Sequence, residues 1–133
     1  MQPATLPPRR IGVVEQKYRD WIDLYYPSRE MSLHRCMDAT KVMQSAFPEL
    51  TRVRGYYGAA DDDTGTEHWW LVDPSGNIID PTFRQFRRDA DYHQLDESQP
   101  QPKGRCYYCR GLDWSGTGAC SEECAEELRR EFS

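Results

Sequence analysis

The stretch EHWWLVDPSGNIIDPT, residues 67–82, decides the fold of this chain. Residues 67–72 are aromatic and β-rich, residues 73–76 read Asp-Pro-Ser-Gly, and residues 77–80, Asn-Ile-Ile-Asp, return as a short strand. Two β-rich segments around a turn signal predict a β-hairpin over residues 67–80. Because side chains alternate along a strand, His68 and Trp70 should share one face, and at least one of Trp69 and Trp70 should pack in the core.

Two helices are predicted ahead of the hairpin. Apolar positions recur at steps of three and four over residues 11–26 and again over residues 32–47, which predicts an amphipathic helix in each segment. Pro27 and Pro48 end these two runs. Residues 50–57 are rich in β-formers and predict a further strand. The predicted fold class is therefore α+β, with N-terminal helices packed on a small antiparallel sheet.

Composition divides the chain into four parts. Residues 1–10 are rich in proline and predict a flexible arm or surface strap. Residues 11–88 hold the α+β domain, and residues 89–104 form a polar, proline-containing tether. Residues 105–133 contain four of the five cysteines and form a small C-terminal module.

The C-terminal cysteines have metal-ligand spacing. Cys106 and Cys109 are separated by two residues, ten residues follow, and Cys120 and Cys124 are separated by three. Two such pairs can close a tetrahedron of thiolates around one structural Zn²⁺ ion. The alternatives are two disulfides or four unrelated cysteines, but the odd cysteine count argues against a disulfide framework and the regular spacing favours zinc. The module resembles a treble-clef-like zinc finger, and a stabilising or protein-docking role is favoured over DNA readout.

Charge and hydropathy restrict the class of partner. The chain carries 22 Asp and Glu against 17 Lys and Arg, so bulk electrostatics make nucleic acid an unfavourable partner. No run of about 20 apolar residues is present, which excludes a membrane-spanning segment, and no apolar signal core follows the basic N-terminus. We expect a cytoplasmic protein.

The fifth cysteine, Cys36, lies in the first turns of the second predicted helix, where a helix N-terminus and a nearby imidazolium would lower its pKa. The hairpin would bring Asp80 beside His68, so that Asp80 orients the imidazole. Cys36, His68 and Asp80 are therefore the candidate catalytic residues. His34 is a rival base with a less favourable position two residues before the thiol, and His93 falls in the polar tether.

Cys36, His68 with Trp69 and Trp70, Gly76, and the phrase Asp80-Pro81-Thr82 resemble the transglutaminase-like branch of the papain-like superfamily. The resemblance covers residues 30–86. It implies a papain-like core and a thiol-dependent enzyme that transfers acyl groups from amide bonds, such as a peptidase, a deamidase or a transglutaminase. A peptide or protein substrate is implied as well.

The segment before Cys36 lacks the Gly, Gln or Asn that such sites present near the nucleophile. The oxyanion hole is therefore unassigned, with the Cys36 backbone N–H as one candidate donor and the Gln85 or Trp69 region as a source of the second. Two alternatives to the enzyme stay open. One is a catalytically inactive protein-binding module of the same fold, and the other, disfavoured by charge, is a small nucleic-acid-binding zinc protein.

Overall fold

The computed structural model describes residues 4–58, 66–101, 103–109 and 111–132. The chain divides into two compact units: Thr5–Leu95 forms one, and Asp96–Ser133 forms the other together with Ala4. Four α-helices and antiparallel strands make up the described residues, so the predicted α+β class is confirmed. No helix in these residues is long and apolar enough to cross a lipid bilayer.

The larger unit begins with three helices, α1 (Gln16–Tyr25), α2 (Arg29–Ser32) and α3 (Cys36–Ala46). The second predicted helix, residues 32–47, therefore starts later than expected, and the short α2 precedes it. Ser28 caps α2 by accepting a hydrogen bond from the Met31 N–H at 3.3 Å. His34 has a φ of 59°, which α-helical geometry does not allow, so α3 restarts only at Cys36.

Four strands form one antiparallel sheet in the order β3-β2-β1-β4. They are β1 (Thr51–Tyr57), β2 (Thr66–Val72), β3 (Ile78–Ile79) and β4 (Tyr92–Gln94), and a 3₁₀ turn spans Phe83–Gln85. The predicted hairpin is present as β2 and β3, with Leu71 opposite Ile79. Asp73 closes its turn by accepting hydrogen bonds from the N–H groups of Ser75 and Asn77.

The sheet extends beyond residue 88, because β4 lies in the segment predicted as a tether. Tyr92, His93 and Gln94 pair with β1. The outer edge of β4 is covered in turn by the N-terminal segment, where Arg9 bridges to Tyr92 and Thr5 to Leu95. Thr5 to Arg9 of the predicted arm thus lie along the sheet as a strap, which satisfies backbone groups that an edge strand would expose.

Two apolar clusters fill this unit. Leu71 belongs to a cluster with residues of α1 and α3, whereas Trp70 belongs to a second cluster with Ile78 and Tyr92. Alternation along β2 places the two clusters on opposite faces of the strand. His68 is buried on the Trp70 face as predicted, and Trp69 is only partly buried.

A glycine in β1 makes the second cluster possible. Gly55 lies opposite His68 on one side and Gln94 on the other. A Cβ at position 55 would lie 2.0 Å from the His93 carbonyl oxygen and 2.7 Å from the Trp70 ring. Only a residue without a side chain lets β4 and Trp70 approach β1 this closely.

We expect Gly55→Ala to lower the free energy of unfolding by about 3 kcal/mol, because the added methyl group would separate β1 from β4 and displace Trp70. Chemical denaturation measures this change. Gly12→Ala is the control, since a Cβ there meets no atom within 4 Å and should change stability by less than about 0.5 kcal/mol. Equal stabilities of the two variants would contradict the packing at Gly55.

The smaller unit contains a two-stranded sheet and one helix. Strand β5 (Gly104–Arg105) pairs with β6 (Leu112–Asp113), and α4 spans Glu122–Phe132. The Ser121 hydroxyl accepts a hydrogen bond from the Cys124 N–H at 3.2 Å, which caps the first turn of α4.

Candidate functional site

The start of α3 positions Cys36. Cys36 is the first residue of this eleven-residue helix, and its side chain is partly exposed. The Thr40 hydroxyl donates to the Cys36 carbonyl at 2.7 Å and accepts from the Arg52 guanidinium at 2.8 Å. These bonds attach the first turn of α3 to β1. The thiol therefore lies at the positive end of the helix dipole, which favours a thiolate.

The hairpin brings His68 and Asp80 together. His68 lies in β2, Asp80 directly follows β3, and His68 Nε2 lies 2.7 Å from Asp80 Oδ2. Both side chains are almost completely buried. In this low-dielectric setting a charged hydrogen bond is strong and has a fixed geometry. Because Nε2 is bonded to Asp80, Nδ1 is the ring nitrogen left for a second partner.

Both oxygens of Asp80 are held by further donors. The Thr82 N–H donates to Oδ1 at 2.9 Å, and the Thr82 hydroxyl contacts the same oxygen at 3.3 Å. The Tyr92 hydroxyl donates to Oδ2 at 2.6 Å. The Gln85 amide in turn donates to the Thr82 hydroxyl at 2.9 Å. A buried carboxylate with this many donors is fully hydrogen-bonded and keeps its orientation.

Cys36 is the second partner of His68. Burial disfavours the thiolate, but a hydrogen bond with His68 and another from the Trp69 N–H outweigh it, so the pKa of Cys36 is lowered. Burial likewise opposes the imidazolium, but the charge and hydrogen bond of Asp80, with a smaller contribution from Cys36, raise the pKa of His68 to about 9. These opposite shifts favour a thiolate–imidazolium pair near neutral pH. The structure thus brings together all three predicted residues.

Aromatic rings enclose the imidazole. The Trp70 ring stacks on His68 with centroids 5.9 Å apart, and the Phe86 ring meets it edge-on at 4.9 Å. Tyr57 stacks on Phe86 at 3.6 Å and Tyr92 lies 6.1 Å from the imidazole. This wall keeps water from the His68–Asp80 hydrogen bond, which strengthens it.

The rival histidines lie elsewhere. His34 is exposed in the break before α3, and His93 is a partly buried residue of β4.

Sequence patterns did not assign a role to Tyr92, Phe86 or Tyr57. Tyr92 lies in a polar segment that resembles a tether, and only the pairing of β4 with β1 shows its place in the site. For Thr82, the phrase Asp80-Pro81-Thr82 was the one sequence feature that indicated a place in the site.

The four C-terminal cysteines form the second site. Their sulfur atoms all lie within 4.8 Å of one another, so Cys106, Cys109, Cys120 and Cys124 could hold one metal ion. The sulfurs of Cys109 and Cys120 are 3.3 Å apart, and those of Cys120 and Cys124 are 3.6 Å apart. A tetrahedral Zn²⁺ with Zn–S bonds of about 2.3 Å separates its sulfurs by about 3.8 Å, which agrees with this cluster.

Backbone groups support the same cluster. Backbone N–H groups donate to the Cys106 sulfur, with the largest contribution from the N–H of Cys109, and lower the pKa of Cys106 to about 6. The buried Asp113 carboxylate accepts from the N–H groups of Ser115 and Gly118 and shapes the loop before Cys120. Gly118 has a φ of 90°, and a Cβ there would lie 2.4 Å from the Tyr107 ring. The loop therefore requires glycine at this position.

The two sites lie in different compact units: the thiol–imidazole–carboxylate cluster belongs to Thr5–Leu95, and the four-cysteine cluster belongs to Asp96–Ser133. No protein-family model matches this chain, and no curated protein or solved structure matches it either.

Proposed function

We propose that Cys36, His68 and Asp80 form the catalytic triad of a thiol-dependent enzyme that transfers acyl groups from amide bonds. The observation that carries the proposal is the placement of the His68 ring, which is bonded to buried Asp80 through Nε2 and lies within hydrogen-bonding reach of Cys36. A nucleophile, a base and a group that orients the base are the three parts that this chemistry requires. The resemblance to the transglutaminase-like branch supports the same assignment.

The proposed reaction has two steps. The Cys36 thiolate attacks the carbonyl carbon and forms a C–S bond. As the C–N bond breaks, the His68 imidazolium gives its proton to the leaving nitrogen. His68 then takes a proton from water or from an acceptor amine, which attacks the thioester and releases Cys36 as thiolate. Asp80 remains ionised throughout and holds the ring.

We propose a peptide or protein amide as the substrate. Cys36 is partly exposed whereas His68 and Asp80 are buried, so a carbonyl group can reach the sulfur without displacing the imidazole from its carboxylate. Peptide hydrolysis, glutamine deamidation and transfer to an amine share the thioester step and differ in the acceptor that reaches it.

We expect iodoacetamide to alkylate Cys36 at pH 6.5 at least about fivefold faster in the wild type than in His68→Ala. At this pH an ordinary thiol is about 1% thiolate, and pairing with the His68 imidazolium should raise that fraction for Cys36. The expected gain in rate is smaller than the gain in thiolate, because a thiolate of lower pKa is a weaker nucleophile. Mass spectrometry of zinc-loaded protein reports which cysteine has reacted, because the bound metal should shield the other four.

His34→Asn is the matched control, since asparagine tolerates the positive φ at this position and removes the rival base. Its alkylation rate should equal that of the wild type. A Cys36 that reacts like a free thiol in both wild type and His68→Ala would overturn the triad and favour the protein-binding module. A loss of reactivity confined to His34→Asn would transfer the role of base to His34.

We infer that the metal of the second site is a single structural Zn²⁺ ion. Four thiolates leave no open coordination position, and zinc is the ion that such closed tetrahedral sites select most often. The short hairpin, the loop around Asp113 and the capped start of α4 together provide the four ligands. Elemental analysis of protein purified without added metal tests this inference, with one zinc per chain as the expected result.

A further inference from the structure

The Tyr92 hydroxyl is an unassigned part of the candidate triad. It donates to Asp80 Oδ2 at 2.6 Å, and His68 Nε2 lies 2.7 Å from the same oxygen. One carboxylate oxygen therefore serves two donors at the centre of the site. The other oxygen is held separately by Thr82.

The fold holds Tyr92 firmly in this position. Its side chain is only 3% exposed and its ring packs edge-on against Trp70 and Tyr57, with centroids 5.1 Å away in each case. Its backbone is paired on both sides, with Tyr57 in β1 and with Arg9 in the strap. Burial, followed by the charge of Asp80, raises the pKa of Tyr92, so its hydroxyl stays protonated and remains a donor.

We propose that Tyr92 is a positioning residue that holds the Asp80 carboxylate and partly neutralises the oxygen on which His68 depends. This inference rests on the proposed function, because the role of Tyr92 is exerted through the triad. A hydrogen bond to a carboxylate lowers the negative charge available to other donors. Tyr92 therefore limits how strongly Asp80 stabilises the imidazolium, which keeps His68 a better proton donor to the leaving group.

Among the residues that the structure describes, four polar groups face His68. Cys36 approaches from α3, Asp80 from the end of β3, Tyr57 from β1 and Tyr92 from β4. Asp89 adds a more distant negative charge, which acts on Tyr92 and Tyr57. Among these, Tyr92 is the neutral donor that is hydrogen-bonded to Asp80 itself. Removing its hydroxyl therefore changes the electron density on the Asp80 oxygen, while the net charge of the site stays the same.

The test is an NMR titration of the His68 imidazole in the full chain, with the signal assigned by its loss in His68→Ala. Tyr92→Phe should raise the pKa of His68 above its value of about 9, by up to about one pH unit, because the Asp80 oxygen then directs more of its negative charge at the imidazolium. The alkaline limb of the Cys36 alkylation profile should move in the same direction. Because the NMR measurement does not require a reactive thiol, it separates a failure of this inference from a failure of the proposed function.

Tyr18→Phe is the matched control. Tyr18 is also buried and donates to a carboxylate, that of Glu49, at 2.7 Å, but it does not contact the triad. It should leave the His68 titration unchanged. A fluorinated tyrosine at position 92 is the second variant, because its more acidic hydroxyl is a stronger donor and should lower the pKa of His68. An unchanged or lowered value in Tyr92→Phe, or an equal shift in Tyr18→Phe, would overturn the proposal.

Discussion

Removing the proposed Zn²⁺ ion with a chelator should unfold the unit Asp96–Ser133 and leave Thr5–Leu95 folded. Within the described residues, the smaller unit has one helix, one short hairpin and few buried apolar side chains, of which Cys106 and Ala119 are the clearest. A core of this size cannot offset the loss of chain entropy. Structural zinc contributes about 10–16 kcal/mol in isolated zinc-finger peptides, which is as large as the total stability of a typical domain, about 5–15 kcal/mol.

The larger unit should respond differently because it contains two apolar clusters of its own. Amide hydrogen exchange followed by mass spectrometry distinguishes the two responses. We expect protection in α4 and β6 to disappear on chelation, whereas protection in β1 and β2 should persist.

Two cysteine substitutions provide the control. Cys106→Ser removes a buried ligand and should reproduce the effect of the chelator, whereas Cys36→Ser should keep a full complement of zinc and normal protection in α4. Persistent protection of α4 in metal-free protein would show that the four-cysteine cluster is not needed for folding.

Asp80→Asn should abolish the fast alkylation of Cys36 and lower the pKa of His68 from about 9 to near or below its ordinary value of 6.5. The amide has nearly the same shape but carries no charge, so burial, which disfavours the imidazolium, is no longer opposed by Asp80. We also expect a loss of about 3 kcal/mol in the free energy of unfolding at pH 6, where the wild type keeps the complete pair.

His68 and Cys36 make the free energy of unfolding depend on pH in opposite directions. A raised folded-state pKa of His68 contributes stability that is fully present below 6.5 and is lost as the pH rises through about 9. The lowered pKa of Cys36 has the opposite effect, because its contribution is present above the unfolded-state value and is lost as the pH falls. A Cys36→Ser background removes the second effect and isolates the first.

In that background, stability should decline from pH 6.5 up to a pH somewhat below 9, because the contribution of Cys36 to the pKa of His68 is lost, and the added substitution Asp80→Asn should flatten the curve. Denaturation at several pH values measures both slopes. Asp73→Asn is a comparison variant, since Asp73 is a buried carboxylate that closes the hairpin turn and makes no contact with His68. It should lower stability at all these pH values alike. The same slope with and without Asp80 would refute the charge pair.

Local signals predicted much of this molecule. The strand–turn–strand pattern of residues 67–80 predicted the β2–β3 hairpin, and that hairpin alone brings His68 to Asp80, twelve residues away. The cysteine spacing likewise predicted the cluster of residues 106–124, because its ligands come from one short segment. In both cases the residues that meet are close in sequence, so periodicity and turn chemistry carry the information.

Features that depend on distant parts of the chain were less predictable. Tyr92 reaches Asp80 because β4 pairs with β1, and no periodic pattern marks a three-residue strand in a polar segment. The later start of α3 depends on the left-handed conformation of His34, to which helix propensity gives no clue. This start matters for the site, since it makes Cys36 the first residue of the helix rather than a residue of its second turn.

The sheet order has a consequence for how the protein is made. The groups around His68 come from α3, the end of β3 and β4, and β4 is itself fixed by the strap that begins at Thr5. Contacts of such large sequence separation form late, after most of the chain entropy has been lost. A chain still on the ribosome, or one cut before Tyr92, would therefore lack β4 and the packing that encloses His68. If the proposed triad is active, the environment of Cys36 would be complete only once this last strand has paired.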